Sequence, residues 1–131
     1  MRILIIEDAD SIRHMIEALL TARGHAVVAV SNGVRGIDAA LAAAPDVILL
    51  DLHLPGALDG FEVCRKLREH ATTREVPIVV ISAMTDEGSK QRAVEAGTTA
   101  YYTKPFSPTA LLKEIESIPG KHNQRPKPPA A

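Results

Sequence analysis

Five short apolar runs, each long enough for one β-strand, alternate along this chain with segments of helical period. The runs are Ile3–Ile6, Ala26–Val30, Val47–Leu50, Ile78–Ile81 and Tyr101–Thr103. The first, third and fourth are continuous aliphatic runs, a pattern typical of strands that are covered on both faces. Strands that alternate with helices in this way predict a parallel sheet with right-handed crossovers and helices on both sides.

Helical periods fill the segments between the runs. The predicted helices cover Asp10 to Arg23, a stretch after Asn32-Gly33, one from about Gly60, Asp86 to Ala96, and one after Ser107. Asp10 or Ser11 is the expected N-cap of the first helix, and Gly24 and Gly97 end the first and fourth. On the first two helices, the positions expected to face the core are Ile12, Met15, Ile16, Leu19, Leu20, Ile37 and Leu41.

The pattern predicts an α/β fold, (βα)5, with a doubly wound parallel sheet in the flavodoxin-like strand order 2-1-3-4-5. Residues 1–118 form the predicted domain. Residues 119–131 are rich in proline and basic side chains and have no apolar period, so we expect a disordered tail or a linker there.

Charge and cysteine content exclude several classes of function. The net charge is -1, and Lys121, Arg125 and Lys127 belong to the tail, so the predicted domain is acidic. An acidic domain argues against direct binding of nucleic acid. The single cysteine, Cys64, fits a core position and a reducing compartment. No stretch is apolar enough to span a membrane, and the N-terminus turns acidic too early for a signal peptide, so we expect a cytoplasmic protein.

Polar side chains stand at the carboxyl ends of four predicted strands. The first strand ends in Glu7 and Asp8, the third in Asp51, the fourth in Ser82 and the fifth in Lys104. Ligands of open α/β sheets bind at this edge. Close carboxylates repel one another unless a cation lies among them, and oxygen ligands suit Mg²⁺. The sequence therefore predicts a Mg²⁺ site here.

A carboxylate beside Mg²⁺ can act as a nucleophile toward phosphorus and form an aspartyl phosphate. The charge on the transferred group then requires a cation and hydrogen-bond donors, and Lys104 and the Ser82 hydroxyl are of the right kind. Ala83 is small and leaves space for a phosphoryl group. The predicted chemistry is phosphorylation of an aspartate.

With these motifs in this order, the chain resembles the response-regulator receiver domains of two-component signalling over residues 1–118. The segments that carry the resemblance are ILIIED at 3–8, PDVILLDLHLP at 45–55, DGFEV at 59–63, PIVVISA at 77–83 and YYTKPF at 101–106. Each motif is weak alone, and their order and spacing together are specific.

The resemblance implies a role for each residue near the acceptor. Asp51 matches the phosphoacceptor. Glu7 and Asp8 match the acidic pair that holds Mg²⁺ together with Asp51, with Asp8 as the direct ligand. His53 matches the position whose backbone carbonyl binds the metal. The pair is Glu-Asp where Asp-Asp is also found in the family, and the longer Glu7 is expected to reach the metal through water.

The resemblance also implies a phosphate-binding and switching group. Ser82 matches the switch hydroxyl, with Ala83 beside it, and Lys104 the phosphate-binding lysine. Tyr101 matches the aromatic residue whose rotamer follows activation. The Lys104-Pro105 bond resembles one that is cis in this family. A departure lies between 51 and 60, where the loop is one residue longer than the commonest family spacing.

As a receiver, the chain is expected to act in signalling rather than as an enzyme, while assisting its own phosphorylation and slow autodephosphorylation. The implied donor is the phosphohistidine of a sensor histidine kinase or phosphotransfer protein. An output domain in the same longer chain is a further implied partner. The implied switching surface, helix 4–strand 5–helix 5, could also support a homodimer.

Alternative functions are left open at this point. A degenerate receiver would bind partners without phosphorylation, and a flavodoxin-like fold could carry an acidic pocket with no signalling role. A haloacid-dehalogenase-type phosphatase also forms an aspartyl phosphate, but it requires a second Asp two residues on, where this chain has His53. No Gly-x-Gly-x-x-Gly or Walker-type loop follows the first strand, which argues against a nucleotide-binding enzyme.

Overall fold

The structure is a computed structural model that describes residues 1–119. The elements are β1 (Arg2–Ile6), α1 (Asp10–Ala22), β2 (Ala26–Val30), α2 (Gly33–Ala43), β3 (Val47–Leu50), α3 (Gly60–Glu69), β4 (Ile78–Ser82), α4 (Glu87–Ala96), β5 (Ala100–Thr103) and α5 (Pro108–Glu116). All strand pairs are parallel, and their order is β2-β1-β3-β4-β5. The predicted (βα)5 fold and strand order 2-1-3-4-5 are confirmed. Apart from Pro119, the predicted tail over 119–131 lies outside the described residues.

The three central strands are buried on both faces because alternate side chains enter two separate cores. On one face, Ile3 and Ile5 of β1 pack with residues of α1 and α5. On the other, Leu4 and Ile6 pack with residues of α2, α3 and α4. The continuous aliphatic run at 3–6 follows from this double cover. None of the helices within residues 1–119 has the length and apolar content to cross a membrane.

Most helix ends follow the sequence signals. Asp59 caps α3 in a reciprocal capping box with Glu62, and Ser107 caps α5. The expected capping of α1 is wrong: its N-cap is Ala9, which makes no side-chain capping bond, and Asp10 is already helical. The Asp10 carboxylate instead pairs with Arg13 in the next turn.

Two residues that the helical period assigned to the core are exposed. Met15 of α1 is 42% exposed and Leu41 of α2 is 41% exposed. On α1, only Ile16 and Leu20 are fully buried. Helical spacing predicts correctly which face of each helix is buried. The part of that face that the sheet covers is narrower than the row of apolar residues on the helix.

Arg68 of α3 joins three segments through bonds to backbone carbonyls. Its guanidinium donates to the carbonyls of Gly97 at 2.9 Å, Val76 at 2.6 Å and Arg74 at 2.9 Å. These bonds connect α3 to the loop before β4 and to the end of α4. An Arg with its five fixed donors can hold several carbonyls at once.

Cys64 lies in the core between α3 and α4, as expected from the sequence. Its thiol donates to the carbonyl of Ala96 at 3.2 Å. Burial raises the pKa of the Cys64 thiol to about 11. The side chain is therefore a protonated thiol at neutral pH, and it behaves as a small apolar residue.

Candidate functional site

A half-buried lysine joins two buried carboxylates at the carboxyl end of the sheet. The Lys104 ammonium lies 2.9 Å from Glu7 Oε1 and 3.2 Å from Asp51 Oδ2. Glu7 is 2% exposed and Asp51 is 4% exposed. The structure thus brings together three of the side chains that the sequence placed at separate strand ends.

Burial and pairing act against each other in this group. Burial raises the pKa of Glu7, and hydrogen bonds from Lys104 and from the Ala9 N–H partly offset it. Burial also acts to lower the pKa of Lys104, but its bond to Glu7 and the charge of Asp51 outweigh that effect and raise it. Lys104 is therefore firmly cationic at neutral pH and supplies a fixed positive charge beside Asp51.

The backbone of the sheet fixes where these side chains start. The Asp51 N–H donates to the Ile6 carbonyl at 2.9 Å, and the Lys104 N–H donates to the Ser82 carbonyl at 2.8 Å. Both bonds continue the ladders of the adjoining strands by one residue. The peptide bond that follows, Lys104-Pro105, is cis as the resemblance implied.

The loop after Asp51 turns sharply around its carboxylate. The His53 N–H donates to Asp51 Oδ1 at 3.0 Å, while the His53 residue itself is exposed. At Gly60, the first residue of α3, an added Cβ would lie 2.4 Å from the Leu52 Cα and 2.5 Å from the Asp51 carbonyl oxygen. Only glycine allows α3 to begin this close to Asp51.

The loop at 51–60 is anchored against α2. Leu58 packs on the core that lies beneath α2 and α3. An added Cβ on Gly33, at the start of α2, would lie 2.9 Å from the Leu58 carbonyl oxygen. The loop turns at Gly56, which has a φ of 90° that glycine adopts without strain. This packing holds the loop beside Asp51, whose carboxylate bonds to Lys104 and to the His53 N–H.

Asp8 and Ala83, which follow β1 and β4, are exposed. The backbone at Asp8 is held by a residue that sequence reasoning missed. The Arg13 guanidinium donates to the carbonyls of Glu7 and Asp8 at 3.0 and 3.1 Å. The only signal in the sequence is a basic residue in the first turns of α1, which by itself does not indicate this role.

Ser82 and Tyr101 meet at the backbone of Met84, a second residue that the sequence did not reveal. The Met84 N–H donates to Ser82 Oγ at 3.1 Å, and the Tyr101 hydroxyl donates to the Met84 carbonyl at 2.7 Å. Ser82 is fully buried, and Tyr101 packs against a small core cluster with Leu52. Burial raises the pKa of the Tyr101 hydroxyl. One peptide segment therefore connects the two expected switch residues.

The oxygen donors suit a hard divalent cation that keeps part of its water. Within residues 1–119, no three His, Cys, Asp or Glu side chains form a ready-made metal cluster. Mg²⁺ does not require one, because it binds through one or two carboxylates and retains waters. Asp8 is exposed, and the Asp51 carboxylate still has lone pairs beyond its two bonds. Both oxygens of Glu7 already have partners, Lys104 and the Ala9 N–H.

The comparisons with known sequences and structures all point to the same family. Residues 3–116 match the response regulator receiver domain family. The chain is 37% identical over 117 residues to the response regulator PleD of Caulobacter vibrioides, covering 89% of this chain and 26% of PleD. It is 38% identical to the transcriptional regulatory protein CseB of Streptomyces coelicolor, covering 88% of this chain and 48% of CseB. The chain thus spans about a quarter to a half of these longer relatives.

Other similar proteins are about the size of this chain. Protein PilH of Pseudomonas aeruginosa is 34% identical over 117 residues, covering 89% of this chain and 96% of PilH. The chemotaxis protein CheY4 of Vibrio cholerae matches with a TM-score of 0.84 and 30% identity, over 90% of this chain and 98% of that one.

A further solved structure bears on the metal. It is the receiver domain of the sensor histidine kinase PA1611 from Pseudomonas aeruginosa, with magnesium coordinated in its active-site cleft. It matches with a TM-score of 0.82 and 32% identity, over 89% of this chain and 95% of that one. The match over residues 3–116, with the fold and these relatives, shows that the chain belongs to the response regulator receiver domain family, which acts in signal transduction.

Proposed function

We propose that Asp51 accepts a phosphoryl group from the phosphohistidine of a sensor histidine kinase or phosphotransfer protein. An Asp51 carboxylate oxygen attacks phosphorus, the bond from phosphorus to the donor imidazole breaks, and the imidazole leaves with a proton from solvent. The observation that carries the proposal is the Lys104 ammonium, fixed 3.2 Å from the buried Asp51 carboxylate. A fixed cation stabilises the charge of the transferring group in a site where little water screens it.

The surrounding residues have separate tasks. Glu7 holds Lys104 in place through the ion pair at 2.9 Å. Arg13 fixes the backbone that carries Asp8. The small side chain of Ala83, which is exposed beside Ser82, leaves space for phosphoryl oxygens. These residues orient the acceptor and its charge before the donor arrives, which lowers the cost of reaching the transition state.

The residues that would hold Mg²⁺ are Asp8 and Asp51 through their carboxylates and His53 through its backbone carbonyl. When bound, the ion supplies positive charge to phosphoryl oxygens. Because both Glu7 oxygens have partners, we assign Glu7 an indirect part in that site. Its negative charge favours a cation nearby, and its direct contact is with Lys104.

Phosphorylation of Asp51 shifts the surface formed by α4, β5 and α5 from one conformation toward another. When the Ser82 hydroxyl turns to donate to the phosphoryl group, its oxygen no longer accepts from the Met84 N–H, a bond of 3.1 Å. The Met84 segment then shifts, and Tyr101 loses its present acceptor on that segment. To change the ratio of two conformational states from 1:99 to 99:1, an interaction must favour one state over the other by about 5.5 kcal/mol. The partners of this surface are an output domain in a longer chain or a second copy.

The phosphoryl group then leaves slowly by attack of water on phosphorus, which returns Asp51 to its carboxylate. We place the exchange in the cytoplasm, because the one cysteine fits a reducing compartment. A degenerate receiver that binds without phosphorylation is the second candidate. The acceptor, its lysine and the hydroxyl all keep their contacts, which favours the phosphorylated form.

Mass spectrometry tests the acceptor. Incubation of the chain with a small-molecule phosphodonor and Mg²⁺ should add the mass of one phosphoryl group, and Asp51→Asn should remove the adduct. Asp86→Asn is the matched control, since Asp86 caps α4, Asn caps equally well, and the adduct should remain. An adduct that persists in Asp51→Asn would contradict the assignment, and a wild type that takes up nothing would favour the degenerate receiver.

The same experiment has a metal arm. Asp8→Asn should weaken Mg²⁺ binding, measured by calorimetry without phosphodonor, and should slow phosphorylation in proportion. Unchanged Mg²⁺ affinity in a folded Asp8→Asn protein would remove Asp8 from the metal site and leave the role of Asp51 standing.

A further inference from the structure

β2 forms one edge of the sheet, and it has no charged residue along its length. Its sequence is AVVAV over Ala26–Val30, and Val28 at its centre is 42% exposed. Edge strands of natural proteins usually carry a Lys, a Pro or a bulge that prevents pairing with another chain. The strand as described has none of these protections.

The pairing with β1 determines which backbone groups of β2 face outward. The Ala26 N–H donates to the Met1 carbonyl at 2.9 Å, and the Val30 carbonyl accepts from the Glu7 N–H at 3.0 Å. Residues that bond to a given neighbour alternate along a parallel ladder, so Val28 also bonds to β1. The N–H and C=O groups of Val27 and Ala29 therefore point to the open edge.

Apolar side chains flank this open edge on the side where α2 packs. Val28 has the same orientation as Val30, which contacts the core beneath α2. A groove of about 230 Å³ lies against the strand, and Ala26, Val28, Ala43 and Pro45 are among its lining residues. On α2 itself, Val34 and Leu41 are 51% and 41% exposed. The edge thus offers backbone hydrogen-bonding groups next to apolar surface.

We propose that β2 is the surface through which two copies of this chain associate, strand against antiparallel strand, about a two-fold axis at Val28. In that register Val27 of one copy lies opposite Ala29 of the other, and their outward N–H and C=O groups bond to each other on both sides of the axis. Val28 lies opposite the Val28 of the second copy, at a position where Cα atoms are about 4.5 Å apart.

The strand itself favours a second copy as its partner. A two-fold contact places each residue near its own counterpart, and an uncharged strand meets no like charge there. The register also gives every outward group of Val27 and Ala29 a bonding partner. β2 and β5 are opposite edges of the sheet, so this contact leaves the α4–β5–α5 surface open. The association goes beyond the proposed phosphorylation and does not require it.

Sedimentation velocity on the full chain, from micromolar to millimolar concentration, tests the association. The wild type should form a dimer as concentration rises. Val28→Lys places two ammonium groups face to face, and like charges opposite each other destabilise strand pairing, so the dissociation constant should rise by about tenfold or more. Val94→Lys is the matched control on α4, where Val94 is 63% exposed, and it should dimerise as the wild type does.

A cross-linking variant gives an answer even if Val28→Lys does not fold. Val28→Cys puts two thiols within disulfide distance across the axis, and mild oxidation should give a covalent dimer. Val94→Cys should not cross-link in the same time, and the native Cys64 is buried. The inference is overturned by a wild type that stays monomeric at millimolar concentration, by equal cross-linking of the two variants, or by loss of the dimer in Val94→Lys. Asp51→Asn should dimerise normally, which separates this result from the phosphorylation test.

Discussion

Two clusters of ion-paired side chains lie at opposite ends of the parallel sheet. The distances between the paired atoms are nearly the same in both. At the carboxyl end, Lys104 lies 2.9 Å from Glu7 and 3.2 Å from Asp51. At the amino end, Glu116 of α5 lies 2.8 Å from Arg23 and 3.1 Å from His25. Contact distance alone would give the two clusters the same importance.

The two clusters differ in how deeply their side chains are buried. The side chain of Glu7 is 3% exposed and that of Glu116 is 28% exposed. Burial raises the pKa of Glu7, whereas hydrogen bonds from Arg23 and His25 lower the pKa of Glu116 to about 2. In the buried cluster the charges depend on one another and are costly to expose or remove. In the open cluster water already solvates each group, so the pair acts as a weak tether between α5 and the start of β2.

Removing the cation from the buried cluster should have the largest effect. Lys104→Met leaves Glu7 and Asp51 without a counter-ion, and breaking a buried pair costs on the order of 3 kcal/mol. The free energy of unfolding, measured in urea at pH 7, should fall by about that amount. A carboxyl whose folded pKa is raised binds protons more readily in the folded state, so the loss should shrink as the pH falls toward 4.5, the ordinary value for Glu.

A double variant provides the control for that loss. Adding Glu7→Gln to Lys104→Met removes one of the two stranded charges, and it should recover a large part of the stability at pH 7. If Lys104→Met is as stable as the wild type at pH 7, the comparison between the clusters fails, because the buried one would then behave like the open one.

A substitution in the close-packed backbone beside Asp51 should give the second largest loss of stability. The Cβ of Gly60→Ala would lie 2.4 Å from the Leu52 Cα, and relief of such an overlap requires a backbone shift that costs roughly 2 kcal/mol. Thermal and urea unfolding should show this decrease, and the rate of phosphorylation should fall as Asp51 moves. Gly88→Ala is the control: its nearest neighbour is Asp86 Oδ2 at 3.4 Å, and its stability should stay within about 1 kcal/mol of wild type. Equal effects at both sites would show that the backbone at Asp51 is not tightly constrained.

The open cluster should give the smallest effect, with its own dependence on pH. Because the folded pKa of Glu116 is about 2 and its ordinary value is 4.5, its contribution is present above pH 4.5 and is lost as the pH falls through about 2. Glu116→Gln should therefore lower the Tm slightly at pH 7, and the difference from wild type should narrow by pH 3. Glu75→Gln, in the exposed loop before β4, is the control. A difference that grows on acidification would contradict the assigned direction.

The sequence was sufficient to predict the sheet and the side chains at its carboxyl edge. Buried strands leave continuous apolar runs, and a parallel sheet brings the ends of those runs to one edge, so the meeting of Glu7, Asp51 and Lys104 follows from their positions in the chain. The cis bond before Pro105 came from the family resemblance. These features depend on topology and local pattern, which a sequence records directly.

Other features depend on how side chains bend and how far one element covers another. Arg13 acts by folding back onto two carbonyls, and a long flexible side chain on a helix has many equally plausible directions. Met84 acts through its backbone, so its residue type carries no signal. Met15 and Leu41 are exposed because the width of the covered strip depends on neighbouring elements, which the period of a single helix does not describe.

The hydrogen bond from Tyr101 to the Met84 carbonyl has a practical consequence for spectroscopy. The chain has no Trp and two Tyr residues, so tyrosine dominates its near-ultraviolet emission. The other, Tyr102, donates to Glu114 Oε1 at 3.0 Å on the α5 side. In a Tyr102→Phe protein, Tyr101 is the one remaining tyrosine, and its emission reports on the Met84 segment between Ser82 and β5. The switching that we propose for this domain would then be followed in solution without an added dye.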